Sequence, residues 1–341
     1  MAKEKEIFQI LVLKLKPLLQ TIKTLGELIS EFDVLHNFAL ISLEYDYIKP
    51  EIVKDKELEI TGLRHPVLSS RLGHNYQNND VKLNTHKSII LITGPNMSGK
   101  STYIRSIAIC SLLAQIGSYV PASSAKLTLV DGIYTRIGSS DNINQNESTF
   151  MVEMIEMAYI LNHATTKSLI ILDEVGRGTS TYDGVALAWA LVEYLAVQIT
   201  GFCLFATHYH ELIELEKNIP NIVNYYVEAI PGEKLTFTHK VLKGSLNKSF
   251  GVQVAEMAGI NAKVIVRAKQ ILNSLEKANN MKKIDKPGAN ISHPQLIMQL
   301  PEVNSNRAQL EQLDKLKKLD LTNLTPLDAF SYLVKFQQEQ V

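Results

Sequence analysis

Two glycines, a lysine and a serine stand close together in the stretch TGPNMSGKST, residues 93–102, with the spacing G-x-x-x-x-G-K-S. Gly94 and Gly99 allow the backbone to curl so that successive N–H groups point inward and form a concavity for an anion. Lys100 adds a positive charge, and the Ser101 hydroxyl is a suitable ligand for Mg²⁺. The pattern therefore predicts a loop that holds the phosphates of a nucleotide.

Two carboxylates follow one another at the end of a second apolar run, in Leu169-Ile-Ile-Leu-Asp173-Glu174. A carboxylate at the end of a buried strand is costly unless it meets a cation. We therefore expect Asp173 to hold Mg²⁺ through its water shell and Glu174 to polarise the attacking water.

A histidine follows a third apolar run, in Ala206-Thr207-His208. A single histidine at a strand end is most often a satisfied surface or core residue. At the carboxyl edge of a sheet, however, His208 would be able to hydrogen-bond a γ-phosphate or the attacking water. Strand ends that supply Lys100, Asp173 with Glu174, and His208 together predict a hydrolytic site.

The elements that must position these residues are short apolar runs, each followed by polar residues and then by a helical pattern. The runs lie at residues 88–92, 168–173 and 202–206. This alternation is typical of parallel strands joined by helices, and it predicts an α/β fold.

Helical patterns flank the predicted α/β region on both sides. Within residues 1–45, leucines, isoleucines and Phe32 recur at alternating intervals of four and three, which predicts a helical seam that Pro17 breaks or kinks. The seam either docks on the domain behind it or belongs to a longer helical arm. Residues 251–276 predict two helices around Gly259, residues 277–306 predict a flexible linker, and residues 307–341 predict a helical tail.

Composition excludes several other classes of protein. The chain has 341 residues, of which 45% are apolar and 21% are charged, and its formal net charge is zero. A neutral chain gives no bulk electrostatic argument for binding a nucleic-acid duplex. The two cysteines predict a reducing compartment, and neither a signal peptide nor a membrane span is predicted, so we expect a cytoplasmic protein without a membrane partner.

Four motifs in order resemble the ATPase domain of the MutS family of DNA mismatch-repair proteins, a branch of the ABC-type ATPases. They are TGPNMSGKST at 93–102, ESTFMVEM at 147–154, LDEVGRGTSTYDG at 172–184 and ATHYHEL at 206–212. The resemblance implies a P-loop ABC-type ATPase domain over residues 46–250, with a mixed or parallel central sheet flanked by helices. It further implies that residues 1–45 end a helical lever region, that 251–276 form a helix-turn-helix used in dimerisation, and that 307–341 form an oligomerisation tail.

The same resemblance implies roles for individual residues. Asn96 would act in catalysis beside Glu174 and His208, near the γ-phosphate and the attacking water. Ser101 and Asp173 would hold Mg²⁺, and Tyr76 and His239 would lie on the two faces of adenine, while Ser148 would reach the nucleotide of the opposing subunit. The residues of the loop implied to contact ATP or ADP are Gly94, Pro95, Asn96, Met97, Ser98, Gly99, Lys100, Ser101 and Thr102.

A site completed by the opposing Ser148 implies a dimer, either of two identical chains or of two paralogues. The family also implies a MutL-type partner, a location in the bacterial cytoplasm or wherever the genome resides, and mismatched duplex DNA bound through other domains. Neither Phe8 nor Phe32 begins the Phe-x-Glu wedge that reads a mismatch, so we expect an expression fragment or a truncated product.

Three other functions compete with an ATPase for mismatch repair. They are the ATPase part of a clamp for recombination intermediates, an ATP-dependent interaction module without turnover of its own, and, more distantly, a transporter or structural-maintenance ATPase. The Gly-Arg-Gly-Thr-Ser-Thr sequence at residues 176–181 favours mismatch repair over the recombination branch.

Overall fold

The computed structural model describes residues 2–138, 149–230, 235–246 and 250–284, with side chains described as far as residue 274. The chain divides between Lys269 and Gln270 into two compact units, and every described strand belongs to the first.

Two long helices begin the first unit. They are α1 (Ala2–Leu15) and α2 (Leu19–Glu44), and a single 3-10 turn at Lys16–Leu18 separates them. The turn coincides with Pro17, whose ring cannot continue the hydrogen-bond ladder, so the predicted break is confirmed. Neither helix has a buried residue, and the apolar seam is exposed along its length in the described structure.

Ten strands and seven α-helices follow α2 within the described residues. In chain order they are β1 (Glu51–Val53), β2 (Glu57–Leu63), α3 (Pro66–Leu72), β3 (Asn79–Asn84), β4 (Ile89–Thr93), α4 (Lys100–Gln115), β5 (Ser124–Thr128), β6 (Ile133–Arg136), α5 (Thr149–His163), β7 (Leu169–Asp173), α6 (Thr181–Tyr194), β8 (Phe202–Ala206), α7 (Leu215–Asn218), β9 (Ile222–Ile230), β10 (Thr236–Lys243), α8 (Gly251–Met257) and α9 (Ala262–Ile284).

A six-stranded sheet carries the three predicted apolar runs, in the order β10-β9-β4-β8-β7-β6. Strands β9, β4, β8, β7 and β6 are parallel, and β10 pairs antiparallel with β9. Ala206 of β8 pairs with Ile92 of β4 on one side and with Asp173 of β7 on the other. The predicted α/β fold is confirmed, and this register brings the three candidate strand ends to one edge.

A second, four-stranded mixed sheet has the order β1-β5-β2-β3. One core cluster joins its buried side chains to α4 and to one face of the six-stranded sheet, where Ile90 and Ile92 lie. Ile89 and Leu91 belong to a second cluster with α5 and α6. Because the six-stranded sheet is covered on both faces, its central strands are continuously apolar.

Two helices follow the sheets, as residues 251–276 predicted. Gly259, between α8 and α9, has a φ of 85°. Helix α9 continues past residue 276 to Ile284, and the predictions for the linker after that point and for the tail at 307–341 lie outside the described residues. No described helix is both long and apolar enough to cross a membrane.

The buried face of α4 is expected to carry much of the stability of the domain. Ile107 is fully buried, whereas Leu112 on the same helix is 50% exposed. Ile107→Ala should lower the free energy of unfolding by about 2–5 kcal/mol because it leaves a cavity. Leu112→Ala, the matched control, should change it by less than about 0.5 kcal/mol. Urea unfolding followed by circular dichroism measures both, and equal effects of the two variants would contradict this packing.

Candidate functional site

The loop at residues 94–99 joins the end of β4 to the start of α4. Gly99 is the N-cap of α4 and has a φ of 105°, a conformation that side-chain-bearing residues rarely adopt. A Cβ at Gly99 would lie 3.3 Å from Nδ1 of His239. The loop leads directly into the N-terminus of α4, which no side chain caps. An uncapped helix N-terminus of this kind can bind an anion through its free N–H groups.

Lys100 begins α4 with a side chain that is only 4% exposed. Its Nζ donates to the carbonyl oxygens of Gly94 at 2.7 Å and Pro95 at 3.1 Å. The same Nζ lies 3.8 Å from Oε1 of Glu174. Burial lowers the pKa of Lys100, while the charges of Glu174 and Asp173 oppose that shift. The cation is thus held inside the loop and faces the carboxylates of β7.

Asp173 ends β7 beside the start of α4. The nearby Ser101 side chain acts to lower the pKa of this carboxyl group, and Oδ2 of Asp173 lies 4.0 Å from Nη2 of Arg105. Its Oδ1 is buried and has no hydrogen-bond partner. Burial raises the pKa of Asp173 above its ordinary value, and the neighbouring Glu174 raises it further. A buried carboxylate oxygen without a partner, next to a serine hydroxyl, is suited to a hard divalent cation.

The residues around Asp173 fit Mg²⁺ better than a metal that needs a full set of protein ligands. The described part of the chain contains no group of three or more His, Cys, Asp or Glu that could hold a metal ion. Mg²⁺ typically binds through one or two protein oxygens and takes its other ligands from water and phosphate. Ser101 and Asp173 would supply those protein oxygens.

Glu174 follows β7 with a φ of 53°, which is uncommon for a residue other than glycine. Its backbone N–H donates to Ala206 at 2.9 Å, and its Oε2 accepts from Nη1 of Arg177 at 2.6 Å. Such strain persists only where the surrounding structure determines it, and it is common at functional sites. The conformation turns the carboxylate toward Lys100.

His208 lies just after β8, at the same edge of the sheet. Its ring centroid is 4.0 Å from that of Tyr209. Burial lowers the pKa of His208, the charge of Glu174 opposes this shift, and Arg177 and Lys100 add to it. The imidazole is therefore neutral at neutral pH, with one nitrogen able to donate a hydrogen bond and the other able to accept one.

A cavity of about 180 Å³ opens beside the loop and brings together Tyr76 and His239, which are far apart in sequence. Apolar residues such as Leu63, Leu68 and Met97 line it. An apolar lining with a few polar groups is typical of small-molecule sites.

His239 is fixed from two directions at the edge of this cavity. Its Nδ1 lies 2.7 Å from the carbonyl oxygen of Ser98, which can only accept, so Nδ1 carries the proton. Asn79 of β3 donates to the carbonyl of His239 at 3.0 Å and accepts from the N–H of Val241 at 2.8 Å, where β10 departs from regular pairing with β9. Tyr76 is anchored through its hydroxyl, which accepts from the N–H of His65 at 2.9 Å.

The other predicted loop residues differ in exposure. Pro95 and Ser98 are buried, whereas Asn96 and Met97 are exposed at the tip of the loop. Thr102 lines the same cavity as Tyr76 and His239. Ser148 lies outside the described residues.

Sequence reasoning assigned no role to several charged residues near Glu174. A cavity of about 240 Å³ on this side is lined by Asp173, Glu174 and Gly178 together with Arg136, Glu153 and Arg177. One signal was available for Glu153, since it shares the buried face of α5 with Met157 and Ile160 at intervals of four and three. A carboxylate in such a series is unusual unless it is paired.

A glycine-rich loop between a parallel strand and a helix, with carboxylates at the neighbouring strand end, is the arrangement by which α/β domains hold phosphorylated ligands. The chain belongs to the MutS family, because the family model for MutS domain V matches residues 90–276, which is more than half of the chain.

Individual relatives agree with this assignment. The chain is 47% identical to a DNA mismatch repair protein MutS of Acetivibrio thermocellus over 93% of its own length and 37% of the relative's. It is 44% identical to the protein of the same name from Chlorobium phaeobacteroides, over 98% of the chain and 38% of the relative. A MutS of a Geobacillus species is 42% identical over 98% of the chain and 40% of the relative. The chain thus spans about two fifths of the length of the curated relatives that it matches.

Asp173→Asn is expected to raise the thermal unfolding midpoint of the nucleotide-free protein by a few degrees at neutral pH, because it removes a carboxylate whose charged form burial disfavours. The folded-state pKa of Asp173 lies above the ordinary value of 3.8, so the stability associated with its neutral form is complete below that value and is lost as the pH rises through the folded-state pKa. The difference between variant and wild type should therefore disappear at acidic pH.

Asp131→Asn provides a control of opposite sign. Burial raises the pKa of Asp131, but hydrogen bonds from Thr165 and Ser168 outweigh burial and leave the pKa below its ordinary value. This variant should lower the midpoint at neutral pH. A lower midpoint for Asp173→Asn under the same conditions would contradict the assigned sign.

Proposed function

We propose that the chain is an ABC-type ATPase domain that binds ATP and ADP with Mg²⁺ and hydrolyses ATP. The observation that carries the proposal is the convergence of Lys100 with Asp173 and Glu174 at the end of the parallel strands. Lys100 Nζ lies 3.8 Å from Glu174, and Asp173 presents a buried oxygen without a partner. Opposed charges of this kind, placed beside a helix N-terminus, suit a phosphate group and its metal.

Each residue would contribute a distinct part of the reaction. The loop N–H groups and Lys100 hold the phosphates, and Ser101 and Asp173 hold Mg²⁺. The metal, when bound, neutralises phosphate charge. Glu174 polarises the attacking water and accepts its proton, while Asn96 and the neutral His208 orient the water or the γ-phosphate by hydrogen bonding.

The cavity beside the loop is proposed as the adenine site, with Tyr76 and His239 on the two faces of the base. Support comes from the shared lining of the cavity and from the bond between His239 and Ser98 in the phosphate loop. Flat rings on both faces of a base hold it by stacking, and this works for any base because each has a flat π-face. In this arrangement the loop at residues 94–99 would contact the phosphates directly and the base through His239.

We further propose that two chains, identical or paralogous, form the working unit, with Ser148 reaching the opposing nucleotide and residues 251–276 packing on the partner as a helix-turn-helix. Residues 46–250 would form the ATPase domain and residues 1–45 the end of a lever. In the whole protein, hydrolysis would be coupled to mismatched duplex DNA and to a MutL-type partner. The relatives' name, DNA mismatch repair protein MutS, supports this role.

A second candidate is an ATP-dependent interaction module that does not turn over by itself. The exposed apolar seam of α1 and α2, which includes Leu11, Leu25 and Phe32, favours it because apolar surfaces of this extent mark interaction sites. Measured turnover by the chain alone distinguishes the two.

Glu174→Gln is expected to reduce ATP hydrolysis at least about a hundredfold, because an amide cannot accept the proton of the attacking water. ATP binding should remain, since the loop and Lys100 are unchanged. Steady-state phosphate release and equilibrium binding of ATP measure the two effects. Glu214→Gln, which alters an exposed pair with Lys217, is the control and should behave as wild type. Normal hydrolysis by the Glu174 variant would disprove the assigned role.

The specific ATPase rate is expected to depend on protein concentration, because a site shared between two chains is complete only in the dimer. Rates are measured from nanomolar to tens of micromolar protein and should rise and then saturate. A constant rate with a monomer at the lowest concentration, judged by sizing, would contradict the shared site.

A further inference from the structure

Gly176, two residues after Glu174, is held from three directions in the interior. Its N–H donates to Oε1 of Glu153 at 2.5 Å, and its carbonyl accepts from the hydroxyl of Tyr209 at 2.8 Å. Its φ is 89°, and a Cβ here would lie 2.8 Å from the carbonyl oxygen of Gly184. The peptide groups on both sides of Gly176 therefore have little freedom to rotate.

The segment that contains Gly176, which we call the 174–177 turn, also carries Glu174, whose Oε1 lies 3.8 Å from Nζ of Lys100. Glu174 opens the turn with a left-handed backbone, and Arg177 closes it with a bond of 2.6 Å to the Glu174 carboxylate. Since Gly176 lies between these two residues, fixing its peptide groups limits where both side chains can point.

Glu153 reaches the turn from α5 and has a side chain that is only 6% exposed. Its Oε2 lies 3.6 Å from Nη2 of Arg136, whose Nε in turn lies 3.1 Å from Glu156. A buried carboxylate is costly at a core position. The other buried residues of this helix, Met157 and Ile160, are apolar, as is usual for such positions. The bond to Gly176 and the nearby guanidinium account for a carboxylate at this position.

We propose that Glu153 is a positioning residue of the hydrolytic site. Its carboxylate holds the 174–177 turn on one side, Tyr209 holds it on the other, and together they keep Glu174 facing Lys100. This inference rests on the proposed ATPase function. Glu153 acts through the turn, so its loss affects the rate of the chemical step and leaves nucleotide affinity largely unchanged.

The test compares Glu153→Ala and Glu153→Gln with wild type, all in the full 341-residue chain. For each protein, kcat for ATP hydrolysis and Kd for ATP are measured separately. Glu153→Ala should lower kcat on the order of tenfold to a hundredfold, as expected when a reacting group is misplaced. Its Kd should stay within about threefold of wild type. Glu153→Gln retains an oxygen that accepts from Gly176 and should keep most of the activity.

Glu156→Ala is the matched control on the same helix. Glu156 also contacts Arg136, but its side chain is 48% exposed and it makes no described contact with Gly176. Its kcat should remain within about twofold of wild type, as is usual for surface substitutions.

Several results would overturn the proposal. They are an unchanged kcat for Glu153→Ala, an equal loss in Glu156→Ala, a Kd that worsens as much as kcat falls, or a glutamine variant as slow as the alanine variant. If Glu153→Ala does not fold, Tyr209→Phe decides, because it removes only the hydroxyl that donates to Gly176. A lower kcat with unchanged Kd supports the proposal, and a wild-type kcat overturns it.

Failure of the proposed ATPase function gives a different result. A wild-type chain without turnover at any protein concentration would overturn both proposals. A wild-type chain that hydrolyses ATP, beside a fully active Glu153→Ala, would overturn only the positioning role.

Discussion

The buried ammonium of Lys100 is the constraint on which the rest of the site depends. An isolated charge in a protein interior costs several kcal/mol. Two loop carbonyls accept from Lys100, the Glu174 carboxylate lies 3.8 Å from its Nζ, and the charge of Asp173 also favours the ammonium form. The carbonyls belong to the loop, the carboxylates lie at the end of β7 and Lys100 itself begins α4, so the position of one cation ties these three parts together.

The parallel register of the six-stranded sheet makes this meeting of charges possible. Because Ala206 pairs with both Ile92 and Asp173, strands β4, β8 and β7 end at the same level. Their side chains are covered by helices on one face and by α4 with the second sheet on the other. Rigid packing of this kind fixes the strand ends, while the polar groups stay at the edge where a ligand has access.

Around Glu174 the structure keeps features that do not favour stability by themselves. Glu174 adopts a left-handed backbone, Asp173 has an oxygen without a partner, and Glu153 is a carboxylate within an apolar helix face. Strain and desolvated charge at one place are typical of functional sites, where stability is given up for geometry. The hydrogen bonds that Gly176 donates to Glu153 and accepts from Tyr209 show how neighbouring elements hold such a turn in place.

Local sequence patterns determined the α/β class, the break at Pro17, the glycine-containing loop before α4 and the strand ends at Asp173 and Ala206, because apolar runs, proline and glycine act over short stretches of chain. They also determined membership of the MutS family, which the match over residues 90–276 confirmed. Only the tertiary structure supplied the cavity that Tyr76 and His239 share and the 3.8 Å distance between Lys100 and Glu174, and only it brought Glu153 and Tyr209 to Gly176. Those contacts link residues on separate elements, and their distances depend on strand order, register and helix packing, which no short stretch of sequence specifies.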